Sequence, residues 1–119
     1  MVTVAIQDKY AEMLGALGDV QTGVDLALQR YAIEQVTAKL AELRRRAAGY
    51  RARYGMDYPE FAQRTATDER YVHDLETRVS KLWEADLADW RFCYQAIQDW
   101  TRHLQQLLQE SFDQSVRSP

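Results

Sequence analysis

Val2-Thr3-Val4-Ala5-Ile6-Gln7 alternates strictly, and no other segment of the 119 residues does so convincingly. Val2, Val4 and Ile6 fall on one side of an extended chain and Thr3, Ala5 and Gln7 on the other, the period-two pattern of a half-buried strand. A lone strand leaves its backbone N–H and C=O groups unpaired. No second strand follows, so pairing with the same segment of another copy is expected, which makes Val2, Val4 and Ile6 dimerisation residues.

Everything after this stretch has helical spacing. Asp8 is placed to cap a helix through Leu17, with Tyr10, Met13, Leu14 and Leu17 on one face and Gly18 as its stop. Asp19 then caps a second helix carrying Val20, Val24, Ala27, Leu28 and Tyr31. From Ile33 the apolar positions tighten into a heptad of Val36, Leu40, Leu43, Ala47, Tyr50 and Tyr54, which Gly55 ends. Asp57-Tyr58-Pro59-Glu60 has the form of a helix start, and Thr67 that of the next cap. Val72, Leu75, Val79 and Leu82 form one stripe. It shifts to a second through Trp83, Leu87, Trp90, Tyr94, Ile97, Leu104, Leu108 and Phe112, a stutter that marks a bend. With no Gly or Pro from Thr65 to Ser118, the spacing allows one helix or two joined near Glu84–Asp89. The expected fold class is mostly α: a ribbon-helix-helix unit, in which one strand pairs across a dimer, followed by long amphipathic helices.

That unit carries a resemblance. The order strand, helix, Leu17-Gly18-Asp19 turn and helix, with Ala27-Leu28-Gln29-Arg30-Tyr31 close to an "ALRRY" stretch, is similar to the ribbon-helix-helix antitoxins of prokaryotic type II toxin–antitoxin systems. Tyr54-Gly55-Met56-Asp57-Tyr58-Pro59-Glu60-Phe61 resembles a linker of such antitoxins, so the likeness reaches about half the chain. It implies residues 1–35 as a dimerisation and DNA-binding domain, 36–66 as a basic heptad helix with a linker helix, and 67–119 as a toxin-binding region. By the same resemblance Thr3, Ala5 and Gln7 read base edges, and Val20, Gln21 and Thr22 clamp a phosphate at a helix N-terminus. Only Gln7 of these readers can make a bidentate base contact, so operator DNA is expected to bind weakly or with help from a partner. The implied function is neutralisation of a cognate protein toxin, a ribonuclease or other RNA-directed one, with repression of the chain's own operon. The other class is a helical dimeric scaffold or adaptor that never meets DNA.

Charge is segregated. Residues 1–34 carry a balance of −3, residues 35–55 one of +5 and residues 56–119 one of −5. The basic waist marks Arg44, Arg45, Arg46, Arg51 and Arg53 as candidates for phosphate or partner contact, against the plainer reading of a solvated helix face. Eleven of the thirteen aromatic residues lie from Tyr50 onward, and Trp, Tyr and Arg anchor protein interfaces. Off-stripe Phe92 and Trp100, with Phe61 and Tyr71, are therefore the toxin-binding candidates, while Trp83, Trp90 and Tyr94 suit a core.

No enzyme is expected. Glu69/His73 and Asp99/His103 are spaced by four, which suits local ion pairs better than a metal site, and no phosphate loop or nucleophile elbow occurs. Cys93 reads as a buried inert thiol, in keeping with a reducing cytoplasm. No cofactor or metal is expected. Nor is a membrane partner, since no apolar run approaches the roughly 20 residues a span needs. A homodimer or higher even oligomer is.

Overall fold

The computed structural model describes residues 3–117, with side chains described through residue 110. It has five helices in the order α1 (Asp8–Leu17), α2 (Val20–Tyr54), α3 (Tyr58–Thr67), α4 (Glu69–Arg78) and α5 (Trp83–Arg117). The expected ribbon is not there. Among the described residues there is no strand, and positions 3–7 run as irregular chain into α1. Gln7 is extended (φ −70°, ψ 145°), and its carbonyl accepts from the N–H groups of Tyr10 and Ala11, so it starts the helix instead of joining a ladder. Val4 and Ile6 are exposed, and Val2 lies outside the described residues. The correction has a simple physical cause. Six alternating residues mark an extended backbone, but a strand also needs a partner ladder, and this chain supplies none.

The long helices are set by their caps. Asp19 accepts from the Thr22 N–H at 3.0 Å to start α2. Gly55, left-handed at φ 70°, ends it and donates to the Arg51 carbonyl. α2 passes unbroken through position 35 for about 52 Å. The cap of α4 is Asp68, which accepts from the Tyr71 N–H. Thr67, expected there, is instead the last residue of α3 and donates its hydroxyl to the Gln63 carbonyl. The chain after Thr65 makes two helices, and the break precedes Glu84, at Val79–Leu82. There the Ser80 hydroxyl accepts from the Leu82 N–H and turns the chain into α5 without Gly or Pro.

α2 and α5 pack antiparallel. Gln29 near the start of α2 donates to the Leu107 carbonyl near the end of α5, while Arg53 near the end of α2 pairs with Asp86 near the start of α5. Val36, Leu40, Leu43 and Tyr54 of the heptad are buried, as are Trp90 and Cys93 of α5. The short helices α3 and α4 close one end of this hairpin, where Tyr54, Phe61, Leu75 and Trp90 form the core. α1 folds back on the first turns of α2 at the other end. The molecule is a rod, 68 × 29 × 25 Å, with a radius of gyration of 22.0 Å, against about 13.5 Å for a compact chain of this length. No helix of the described residues is long and apolar enough to cross a membrane.

Candidate partner-binding surface

The closed end is finished. Tyr54 and Phe61 rings meet at 4.3 Å, Phe61 and Trp90 at 5.4 Å, and Tyr58 sets its edge against Trp90 at 5.8 Å. Beside this cluster runs a polar seam between the long helices. Asp89 accepts from Arg46 and from the Tyr50 hydroxyl, and Asp86 accepts from Arg53 at 2.6 Å and from the Tyr54 hydroxyl. The hydrogen bond to Asp89, reinforced by burial, pushes the Tyr50 phenol up to about 12. Burial first and the Asp86 bond second do the same for Tyr54. Burial likewise raises the Cys93 thiol, against the opposing pull of Arg46. Beside the cluster an open groove of about 460 Å³ is lined by Ala47, Tyr58, Trp90, Tyr94 and Ile97 among others.

The other end is unfinished. A groove of about 620 Å³ runs between α1 and α2, lined by Leu14, Leu17, Leu26, Ala27 and Tyr31 among others. Leu17 is 81% exposed and Tyr31 62%. Tyr10 and Met13 extend this apolar surface along α1, and Leu28 and Leu108 stand exposed as well. An accumulation of large apolar side chains in water is what marks an interaction surface.

The predicted site residues divide between the two ends. Thr3, Ala5 and Gln7 are exposed on irregular chain and form no base-reading strand face. Val20 is half-buried beside α1, and Gln21 donates to Asp25. Thr22 gives both its N–H and its hydroxyl to Asp19, so the α2 N-terminus already holds a carboxylate, whose pKa that backbone bond lowers. The arginines separate as well. Arg46, Arg51 and Arg53 pair with Asp89, Asp57 and Asp86, whereas Arg44 and Arg45 stand exposed. Asp57 spends its carboxylate on Arg51 and makes no side-chain cap to α3.

Phe61 is fully buried and belongs to the core. Tyr71 is half-buried, with Arg64 over its ring at 5.2 Å. Phe92 is exposed, with Arg46 over its ring at 5.8 Å, and Trp100 is half-buried with His103 at 5.5 Å. Asp99 pairs with Arg102, not with His103. The exposed side of α2 was not among the expected sites. Its signal was present at Leu26, which lies off the stripe of Val20, Val24, Ala27, Leu28 and Tyr31 and is 53% exposed.

No family profile, curated protein or solved structure matches the chain. Its own geometry therefore carries the functional reading.

Proposed function

We propose that the chain is a helical scaffold or adaptor, a non-catalytic module that works by holding other protein chains on its surface. The supporting observation is the placement of large apolar side chains on α1 and the first turns of α2, at the end of the rod away from its core. Burying such side chains is worth roughly 1.5–3 kcal/mol each, so a partner that covers several of them gains a usable affinity. The rigid closed end supports this role by fixing the direction of the two long helices. The cytoplasm, where the single thiol stays reduced, is the compartment this reading expects.

The antitoxin reading rested on the ribbon-helix-helix resemblance and on aromatic toxin contacts in an acidic half of the chain. The ribbon is absent from the described residues, and Asp57, Asp86 and Asp89 are engaged by the chain's own arginines. The scaffold form is therefore the one argued here.

The test is site-specific photocrosslinking in native cells. A crosslinker at Met13, on the apolar face of α1, is expected to give discrete adducts with another protein, and these should disappear in Leu17→Asp. A crosslinker at Gln63, exposed on α3, should not give them. No heterologous adduct from position 13, or the same adducts from both positions, overturns the reading.

A further inference from the structure

An exposed side of α2 carries a second heptad. From Ala27 to Ala52, steps of four and three alternate through Tyr31, Glu34, Ala38, Ala41, Arg45 and Ala48, and all eight residues are exposed. This is the spacing of a helix–helix seam, presented to water over about 38 Å. Alanines alone would show only a smooth helix. The order of the three large side chains says what the face fits.

We propose that a second copy of this chain packs antiparallel on the outer face of α2. An antiparallel two-fold places Ala38 opposite the partner's Ala41 at the axis. One layer outward, Glu34 then lies opposite the partner's Arg45. In the next layer Tyr31 lies opposite the partner's Ala48, a large side chain over a small one, and Ala27 closes the seam against the partner's Ala52. The two-fold repeats every pair, so two Glu–Arg contacts flank the axis. A parallel pairing would instead set Glu34 on Glu34, Arg45 on Arg45 and Tyr31 on Tyr31, which charge and volume both oppose. Neither Glu34 nor Arg45 has an ion-pair partner among the described residues of its own chain. At the flank Arg30 approaches the partner's Arg51, but Asp57 already holds that charge at 3.2 Å within its own chain.

Four further observations point to the same occupant. α1 packs on α2 at Gly23, where an added Cβ would lie 2.9 Å from the Leu14 side chain. The partner's α2 ends at Gly55, one turn beyond Ala52, and so stops short of that contact. The α1–α2 groove has Ala27, Tyr31 and Glu34 in its lining, which makes it continuous with the seam. The charge balance also matches, since the acidic part through Glu34 meets the basic part from Arg44 onward. Finally, the chain exposes 9358 Å², about 2,700 Å² more than a compact monomer of its mass. That excess is ample for an interface of about 800 Å² per partner.

The proposal names a different occupant from the adaptor reading, which concerns heterologous partners, and the two surfaces share Ala27 and Tyr31. Its test is sedimentation equilibrium of the full chain and a charge exchange. The wild-type protein is expected at twice the 13.9 kDa chain mass. Glu34→Arg and Arg45→Glu, each of which sets like charges face to face, should raise the dissociation constant about tenfold or more. The double variant E34R/R45E should restore the wild-type value, because the exchange keeps every pair complementary. A wild type that stays monomeric overturns the proposal and leaves the face to a different protein. Single variants that dimerise unchanged overturn it in favour of another surface, and a double variant as dissociated as the singles refutes the register.

Discussion

The Tyr50 hydroxyl donates to the Asp89 carboxylate at 2.5 Å, joining residues 39 apart in sequence across the two long helices. Four residues on, Tyr54 repeats the arrangement with Asp86. Each carboxylate also holds an arginine, so two turns of α2 are tied to one turn of α5 by four charge-assisted bonds. A sliding step of one turn would leave one aspartate and one tyrosine without a partner, and the seam favours the observed register of the hairpin.

The two carboxylates are not equivalent. Asp86 has 14% of its side chain exposed and Asp89 35%. Asp86→Ala leaves the buried Tyr54 hydroxyl without its acceptor and should cost about 2 kcal/mol. Asp89→Ala should cost less, because water replaces more of what is lost. Urea denaturation of the two variants checks the order.

Alkaline pH should weaken the hairpin. The Tyr50 and Tyr54 phenols lie at about 12 in the folded chain and near 10 when unfolded. Below pH 10 both states keep these protons and the contribution is complete. As pH rises from about 10 to 12 the unfolded state loses them first, and stability falls. Phenolate absorbance should show a late phase of tyrosine ionisation, which the double variant Tyr50→Phe, Tyr54→Phe removes.

Phe61→Ala should cost about 3–5 kcal/mol, since its ring is fully enclosed between Tyr54 and Trp90. Cys93 is a reporter of the same core. Buried and with its thiol pKa raised, it should react with a thiol reagent only as the hairpin opens, and much faster in the Phe61 variant. The rate of thiol modification against denaturant measures both.

Gly49 is exposed in the last third of α2, with nothing within 4 Å of an added Cβ. Gly49→Ala should stabilise the chain by about 0.5–1 kcal/mol through helix propensity. Gly23→Ala should gain less, because Leu14 must move aside. Paired thermal melts decide it.

Val4→Asp should leave the melting temperature within about 1 °C of wild type, a change expected of an exposed side chain outside any packed element. Val4 is 58% exposed. A ribbon would have been destroyed by the same substitution.

What could be read from the sequence follows from which forces are local. The heptad from Ile33 and the stripe from Trp83 are side-chain periodicities, and Val36, Leu40, Leu43, Tyr54 and Trp90 are buried as that spacing demands. Asp19, Gly18 and Gly55 are local caps, and they sit at helix ends. Pairing between distant segments was not legible. Nothing local to Asp86 or Asp89 says that they answer Arg53 and Arg46, so the basic waist read as a surface for others when half of it serves the hairpin. The strand at residues 2–7 failed for the same reason, since alternation is local and a ladder is not. The candidate surface was least legible, because exposed apolar residues at helical spacing look in sequence like buried ones.

The concentration of packing at one end of the rod gives the molecule a direction of assembly. Tyr54 and Phe61 are seven residues apart, so their contact closes a short loop at little entropic cost, and Trp90 follows over a modest distance. Gln29 and Leu107, at the far end, are 78 apart. The α3–α4 corner is thus expected to form first, with the two long helices closing from it. Amide exchange should be slowest near Leu43 and Trp90 and fastest around α1. The end that frays most readily is also the end with the exposed groove, so whatever binds there completes the last step of folding.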